Sequence, residues 1–287
     1  RQTMLNLSDK TELNYPHIKQ YLVNWLTDYA LKSHQAGYVI GVSGGIDSAV
    51  CSSLCAHTGL PLIVLIMPIH QESEQLERSL EHVAWLCNKF SNVTALTIDL
   101  TSLYEQQVAL LEKAGALNNI TPEEQFLVTA NIRSRLRMVT LYGVAGANKS
   151  LVCGTGNKIE DYGVGFFTKF GDGGVDVSPI GDLVKSEVYA LGRELGVNEA
   201  ILQARPTDGL WSDGRTDEDQ IGASYDELEW ALDYCARHQI KSNEDIMSIG
   251  SRDKDLSARE QVVLNIYWSR HIANQHKMNL PPIAYLK

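Results

Sequence analysis

The chain has 287 residues, 44% hydrophobic and 21% charged, which suits either one large α/β domain or one domain with an appendage. Its net charge of −10 excludes the broad basic surface of a general nucleic-acid or anionic-membrane binder, while leaving room for a local basic pocket. Five cysteines without a C-x-x-C pair imply neither a disulfide framework nor a zinc site. That cysteine usage leads one to expect a reducing cytoplasm, and the longest apolar run, Leu60 to Ile69, is too short to span a bilayer.

Residues 1–15 are polar. From Pro16 the positions Ile18, Tyr21, Leu22, Trp25 and Leu26 recur at helical spacing. Tyr38 to Val42 reads as a strand, followed by a Ser/Gly turn and a helix to about His57. Leu62 to Met67 is a continuous apolar run, the pattern of a strand buried on both faces of a parallel sheet. A helix is expected over 73–90, a third strand from Val93 to Ile98 and a further helix from Leu100 to Lys113. Thr121-Pro122-Glu123-Glu124 offers an N-cap, a first-turn proline and acidic residues for a helix reaching Val144. Ser150 to Cys153 is a fourth strand. The Gly-rich stretch 156–178 reads as a long functional loop or lid, and Gln203 to Gly222 as a second mobile stretch. Helices are expected over Leu183 to Leu195, 224–238 and 257–276. Strand–helix alternation gives a doubly wound parallel sheet with helices on both faces: an α/β core over 16–200, then a mostly helical C-terminal portion over 201–287.

The chemistry starts at Gly41-Val42-Ser43-Gly44-Gly45-Ile46-Asp47-Ser48, between the first strand and its helix. Glycines let the backbone close around an anion, and the helix N-terminus favours negative charge there. Ser43 and Ser48 add hydroxyl donors. Asp47 beside a phosphate requires a cation between them, so the pattern reads as a nucleotide-phosphate site with Mg²⁺. Neither G-x-x-x-x-G-K-[ST] nor G-x-G-x-x-G is present. Gly154 to Glu160 follows the fourth strand in the same way, and Glu160 offers the cation a second carboxylate. Gly165-Phe166-Phe167-Thr168-Lys169-Phe170-Gly171-Asp172-Gly173-Gly174-Val175-Asp176 combines aromatics, a lysine and acids among glycines, which suits a ligand loop better than a core.

S-G-G-x-D-S resembles the loop of the ATP pyrophosphatases. With G-T-x-x-x-x-E, G-F-F-T-K-F-G-D-G-G-x-D and Pro179 to Lys185, the chain resembles the NAD synthetase family over about residues 38–280. That resemblance implies ATP-dependent amidation of deamido-NAD by ammonia, through an adenylated carboxylate, to give NAD, AMP and pyrophosphate. It implies that Gly41, Val42, Ser43, Gly44, Gly45, Ile46, Asp47, Ser48, Thr155, Lys185 and Thr207 contact ATP. Asp47 and Glu160 would hold Mg²⁺, with Asp47 and Lys185 as the catalytic pair. Arg135, Lys169, Asp176, His276 and Lys277 would contact deamido-NAD, in a homodimer whose interface includes Tyr142. Asn157-Lys158 departs from the family's common Asp-His, and Thr207-Asp208-Gly209 from its Thr-Ala-Asp. The ATP module begins by residue 38, which leaves no length for a glutaminase, so free ammonia or ammonia from a separate protein is the expected nitrogen source. Two rivals remain at this point: adenylation of another acid or a tRNA base, and a non-catalytic nucleotide sensor.

Overall fold

The computed structural model describes residues 13–71, 73–206 and 216–286. Four apolar runs become parallel strands, β1 (Gly37–Gly41), β2 (Leu62–Ile66), β3 (Val93–Thr97) and β4 (Ser150–Val152), in the order β3-β2-β1-β4. Tyr38 pairs with Leu62 and Leu151, and Leu62 with Val93. A Cβ on Gly37 would sit 1.9 Å from the carbonyl oxygen of Pro61, so glycine alone allows β1 to lie this close to the start of β2.

Successive strand side chains point to opposite faces, and each face has its own helices. Tyr38, Ile40, Leu62, Val64 and Ile66 pack with Leu26 of α1 (Tyr15–Lys32), Leu54 of α2 (Ile46–His57) and Leu86 of α3 (Ser73–Lys89). Val39, Leu65 and Val152 face the other way, onto Tyr104 of α4 (Thr101–Lys113) and Ala145 of α5 (Pro122–Ala147). Leu191 of α6 (Lys185–Leu195) and Ile201 of α7 (Glu199–Gln203) complete the first face. Truncating a fully buried leucine such as Leu54 or Leu65 to alanine costs about 2–5 kcal/mol. β3 is the exposed edge strand.

The chain builds β1, β2 and β3 outward and then returns to lay β4 on the other side of β1. The loops after β1 and β4 therefore diverge at the strands' carboxyl ends, where an open parallel sheet forms its ligand crevice.

A second cluster of buried residues gathers the C-terminal helices. A π-helical turn, Lys158–Val164, supplies Ile159 and Val164. These pack with Ile221 of α8 (Asp217–Ile221), Leu228 of α9 (Tyr225–Arg237), Ile246 of α10 (Asn243–Arg252), and Leu264 and Trp268 of α11 (Ala258–Met278). No helix among the described residues is long and apolar enough to cross a membrane.

Several element boundaries differ from the sequence reading. The cap of α5 is as expected, with Thr121 and Glu124 bonding each other's backbone N–H at 3.2 and 2.7 Å, but the helix continues to Ala147. α6 begins at Lys185 rather than Leu183, fixed by the Glu187 carboxylate, which accepts from the Val184 N–H at 3.0 Å. α10 was not anticipated, although Ser242 and Asp245 form a reciprocal cap at its start. The stretch 156–178 is not wholly loop: it holds the π-helical turn, and Val177 bridges to Cys153 in parallel. Within the second stretch read as mobile, residues 217–221 form α8, whereas 207–215 lie outside the described residues.

The histidines make stability depend on pH. Burial pushes the imidazole of His82, which pairs with Ser52 at 2.9 Å, from 6.5 down to about 4. Burial does the same for His57, with Lys19 and Lys89 adding to it. Between these values the unfolded chain binds protons that the folded imidazoles refuse, so the part of the stability that rests on these two histidines is full above pH 6.5 and is lost as the pH drops toward 4. The raised carboxyls of Asp47, Asp161 and Asp172 act in the opposite sense. Acidification across this window should therefore cost His82→Gln less of its thermal midpoint than it costs the parent. An unchanged slope in the variant would show that His82 has no part in it.

Candidate functional site

The loop after β1 is held open by its own side chains. The Ser48 hydroxyl accepts from the Ser43 N–H at 3.1 Å and donates to the Gly45 carbonyl at 3.2 Å. Gly44 has φ +84°, and a Cβ there would lie 2.5 Å from the Gln75 carbonyl oxygen. Arg78 and Gln71 brace the loop from outside, donating to the carbonyls of Gly44 (3.4 Å) and Ser43 (3.5 Å). At the N-terminus of α2, Gly45 is the cap residue and no side chain caps the helix. Its first N–H groups are left for an external acceptor, and the helix dipole favours an anionic one.

Beside this loop stands a buried lysine held between two acids. Lys185, at the first position of α6 and only 3% exposed, donates to Asp47 Oδ2 at 2.5 Å and to Glu160 Oε1 at 3.0 Å. Its ammonium lies 4.8 Å from the centre of the Tyr225 ring, whose hydroxyl donates to the same Glu160 oxygen at 2.5 Å. Burial opposes the charge on Lys185, but Asp47 and Glu160 outweigh it and raise its pKa. Burial likewise pushes the Glu160 carboxyl up, yet Lys185 and Tyr225 hold it below the usual carboxylate value. Lys185 therefore stays charged between two acids that are 113 residues apart in sequence, from Asp47 to Glu160.

These two carboxylates suit a hard divalent cation. Among the described residues, no group of three or more His, Cys, Asp or Glu could hold a metal ion. A cation here would have to complete its shell with ligand oxygens and water, as Mg²⁺ does between phosphates.

A cavity of about 720 Å³ opens in front of both loops. Gly41 to Ser48, Thr155, Glu160, Lys185 and Lys277 line it, alongside an apolar wall from Phe126, Ala130, Met138 and Leu141 of α5. Gly156 faces it too. A Cβ on Gly156 would sit 1.9 Å from a carboxylate oxygen of Asp161, another lining residue. The other residues expected at the second substrate lie off this cavity. Arg135 donates to the Lys169 carbonyl (3.2 Å), and Lys169 to the His276 carbonyl (2.7 Å), joining α5, the aromatic loop and α11. Asp176 accepts from the Tyr142 hydroxyl at 3.0 Å and from the Val152 N–H at 2.8 Å. Lys277 is tied to the carbonyls of Gly165 and Phe167 at 2.9 and 3.0 Å. Thr207 lies outside the described residues.

Sequence reasoning missed three contributors. Arg78 carries no local signature. Tyr225 lies in Ser224-Tyr225-Asp226-Glu227, whose pattern marks a helix cap and says nothing of a contact with Glu160. Arg137 lines the cavity and donates to the Met67 carbonyl at 3.1 Å, and burial pushes its guanidinium down to about 10.

A glycine–serine loop, an uncapped helix start and a lysine between two acids, at the switch point of a parallel sheet, define a nucleotide-phosphate-binding α/β protein. The chain belongs to the NAD synthase family, whose model matches residues 18–281. The NH(3)-dependent NAD(+) synthetase of Sulfolobus acidocaldarius is 35% identical over 96% of this chain and 90% of its own length. That of Carboxydothermus hydrogenoformans is 38% identical over 80% and 94%. Among solved structures, the NMN synthetase of Francisella tularensis is similar, with a TM-score of 0.79 and 34% identity over 96% of this chain and all of that one.

Replacing Lys185 by methionine would leave two largely buried carboxylates, 18% and 16% exposed, facing each other. Losing one partner of a buried charge cluster costs about 3–5 kcal/mol. Urea denaturation of Lys185→Met should show a loss of that order, and a loss below about 1 kcal/mol would mean that water already screens the cluster.

Proposed function

We propose that this chain is an ATP-dependent carbon–nitrogen ligase that amidates deamido-NAD with ammonia to give NAD, AMP and pyrophosphate, the last step of NAD biosynthesis. The observation that carries the reading is the Asp47–Lys185–Glu160 cluster at the mouth of the uncapped α2 loop, in a chain of the NAD synthase family.

The nicotinate carboxylate is a poor acyl donor because oxide is a poor leaving group. Its oxygen attacks the α-phosphorus of ATP, pyrophosphate departs, and the carboxylate becomes a mixed anhydride with AMP. Ammonia attacks the carbonyl carbon, AMP leaves with the bonding pair, and the amide forms after loss of a proton. The N-terminus of α2, with Ser43 and Ser48, holds the phosphates, and Thr155 approaches from the loop after β4. Lys185 supplies positive charge where the departing pyrophosphate accumulates negative charge, an electrostatic and positioning task. Asp47 and Glu160 would hold Mg²⁺, which when bound neutralises phosphate charge. The chemistry requires no protein nucleophile.

Arg135, Lys169, Asp176, His276 and Lys277 are assigned to deamido-NAD. The first four lie beside the ATP cavity rather than in it, which suits a second substrate that enters from the flank. Val139 and Tyr142 of α5, 60% and 37% exposed and one turn apart, would meet the second copy in a homodimer, with the Tyr142 hydroxyl already bonded to Asp176 on this flank. Five unbridged cysteines suit a reducing cytoplasm.

A second reading concerns the acceptor. The likeness to an NMN synthetase favours the mononucleotide carrying the same nicotinate carboxylate. Purified protein with ATP, Mg²⁺ and ammonium, given deamido-NAD or nicotinate mononucleotide, separates the two through kcat/KM. The proposal expects equal amounts of amide, AMP and pyrophosphate with deamido-NAD, and loss of turnover in Asp47→Ala. Faster amidation of the mononucleotide would establish the second reading. Pyrophosphate without either amide would move the acceptor elsewhere.

A further inference from the structure

Asn157 is fully buried, 0% exposed, directly between the two loops of the site. Its side-chain oxygen accepts from the backbone N–H groups of Ile159 and Glu160 at 3.0 and 3.1 Å, which starts the π-helical turn. Its side-chain nitrogen donates to Asp47 Oδ1 at 3.3 Å. Lys185 takes the other oxygen, Oδ2, of the same carboxylate. Asp47 is thereby gripped from two sides, by a charge and by a neutral amide.

We infer that Asn157 is a positioning residue of the ligase: one amide group fixes the direction of Glu160 and the orientation of Asp47, and so sets the gap between the two acids. The inference rests on the reading of Asp47 and Glu160 as the pair that holds the divalent ion. Only a side chain that is acceptor at one atom and donor at the next does both jobs. Aspartate, the residue the family commonly has here, would keep the cap but lacks the N–H donor and would present a third carboxylate to Asp47. Relatives that carry it must therefore hold this acid in another way. Serine would keep the cap, since its hydroxyl serves the same N–H groups, but is too short and has no amide to hold Asp47. An ordinary helix cap would tolerate either change.

The test uses Asn157→Ser and Asn157→Asp in the full chain, with Asp47→Ala as reference. Calorimetry measures how much Mg²⁺ tightens binding of α,β-methylene-ATP, and steady-state kinetics give kcat and the KM for the nicotinate nucleotide. Residues that orient metal ligands typically contribute about tenfold in affinity or activity, so both variants should lose about tenfold of the Mg²⁺ gain and of kcat. KM for the nicotinate nucleotide should stay within about twofold. Thermal midpoints should stay within about 3 °C of the parent, because the cap survives. Variants that keep the parental Mg²⁺ gain and kcat overturn the inference. So do variants whose losses come with a large fall in thermal midpoint, since that is the signature of a fold-stabilising cap alone. If Asp47→Ala also keeps the Mg²⁺ gain, the failure belongs to the metal assignment; if only the Asn157 variants keep it, the failure belongs to the inference.

Discussion

A lysine ammonium taken out of water is the constraint on which this site depends. Isolated at that depth it would lose its proton; here it keeps it because two carboxylates meet it at 2.5 and 3.0 Å. The attraction reaches across three separate pieces of chain: the start of α2, the turn after β4 and the start of α6. Each piece must therefore be placed to within a fraction of an ångström. The parallel sheet provides this placement, because β1 and β4 lie side by side and release their loops at the same edge.

The C-terminal helices take part in this placement rather than merely covering it. Three side chains of α11 bond backbone carbonyls of the π-helical turn and the residues after it: His271 to Gly163, Asn274 to Val164 and Lys277 to Gly165. Tyr225 at the start of α9 reaches Glu160 itself. The second core and Glu160 are thus one mechanical unit, and packing among Leu228, Leu264 and Trp268 bears on where this carboxylate sits beside the loop after β1.

Most of the α/β core was legible because strands buried on both faces must be apolar throughout, and Tyr38–Val42 and Leu62–Met67 are. The first loop was legible because only a few residue types can wrap an anion. The pairing of Lys185 with Asp47 was not, since it joins residues 138 apart and local patterns say nothing about such distances. The stretch 156–178 misled in another way: its glycines look like loop, but some are dictated by close packing, as at Gly156 under Asp161, rather than by freedom. Arg135 and His276 had to be taken from family resemblance, because an arginine on a helix and a histidine near a terminus have no pattern of their own.

The bare N-terminus of α2 has a consequence for the protein's stability. Gly45 contributes no capping side chain, so the helix at the centre of the core is completed by whatever anion it holds. An occupant that binds only the folded chain protects it by mass action, about 2.7 kcal/mol at one hundred times its dissociation constant. With ATP as that anion, a fall in its concentration would leave the folded chain with less of this protection.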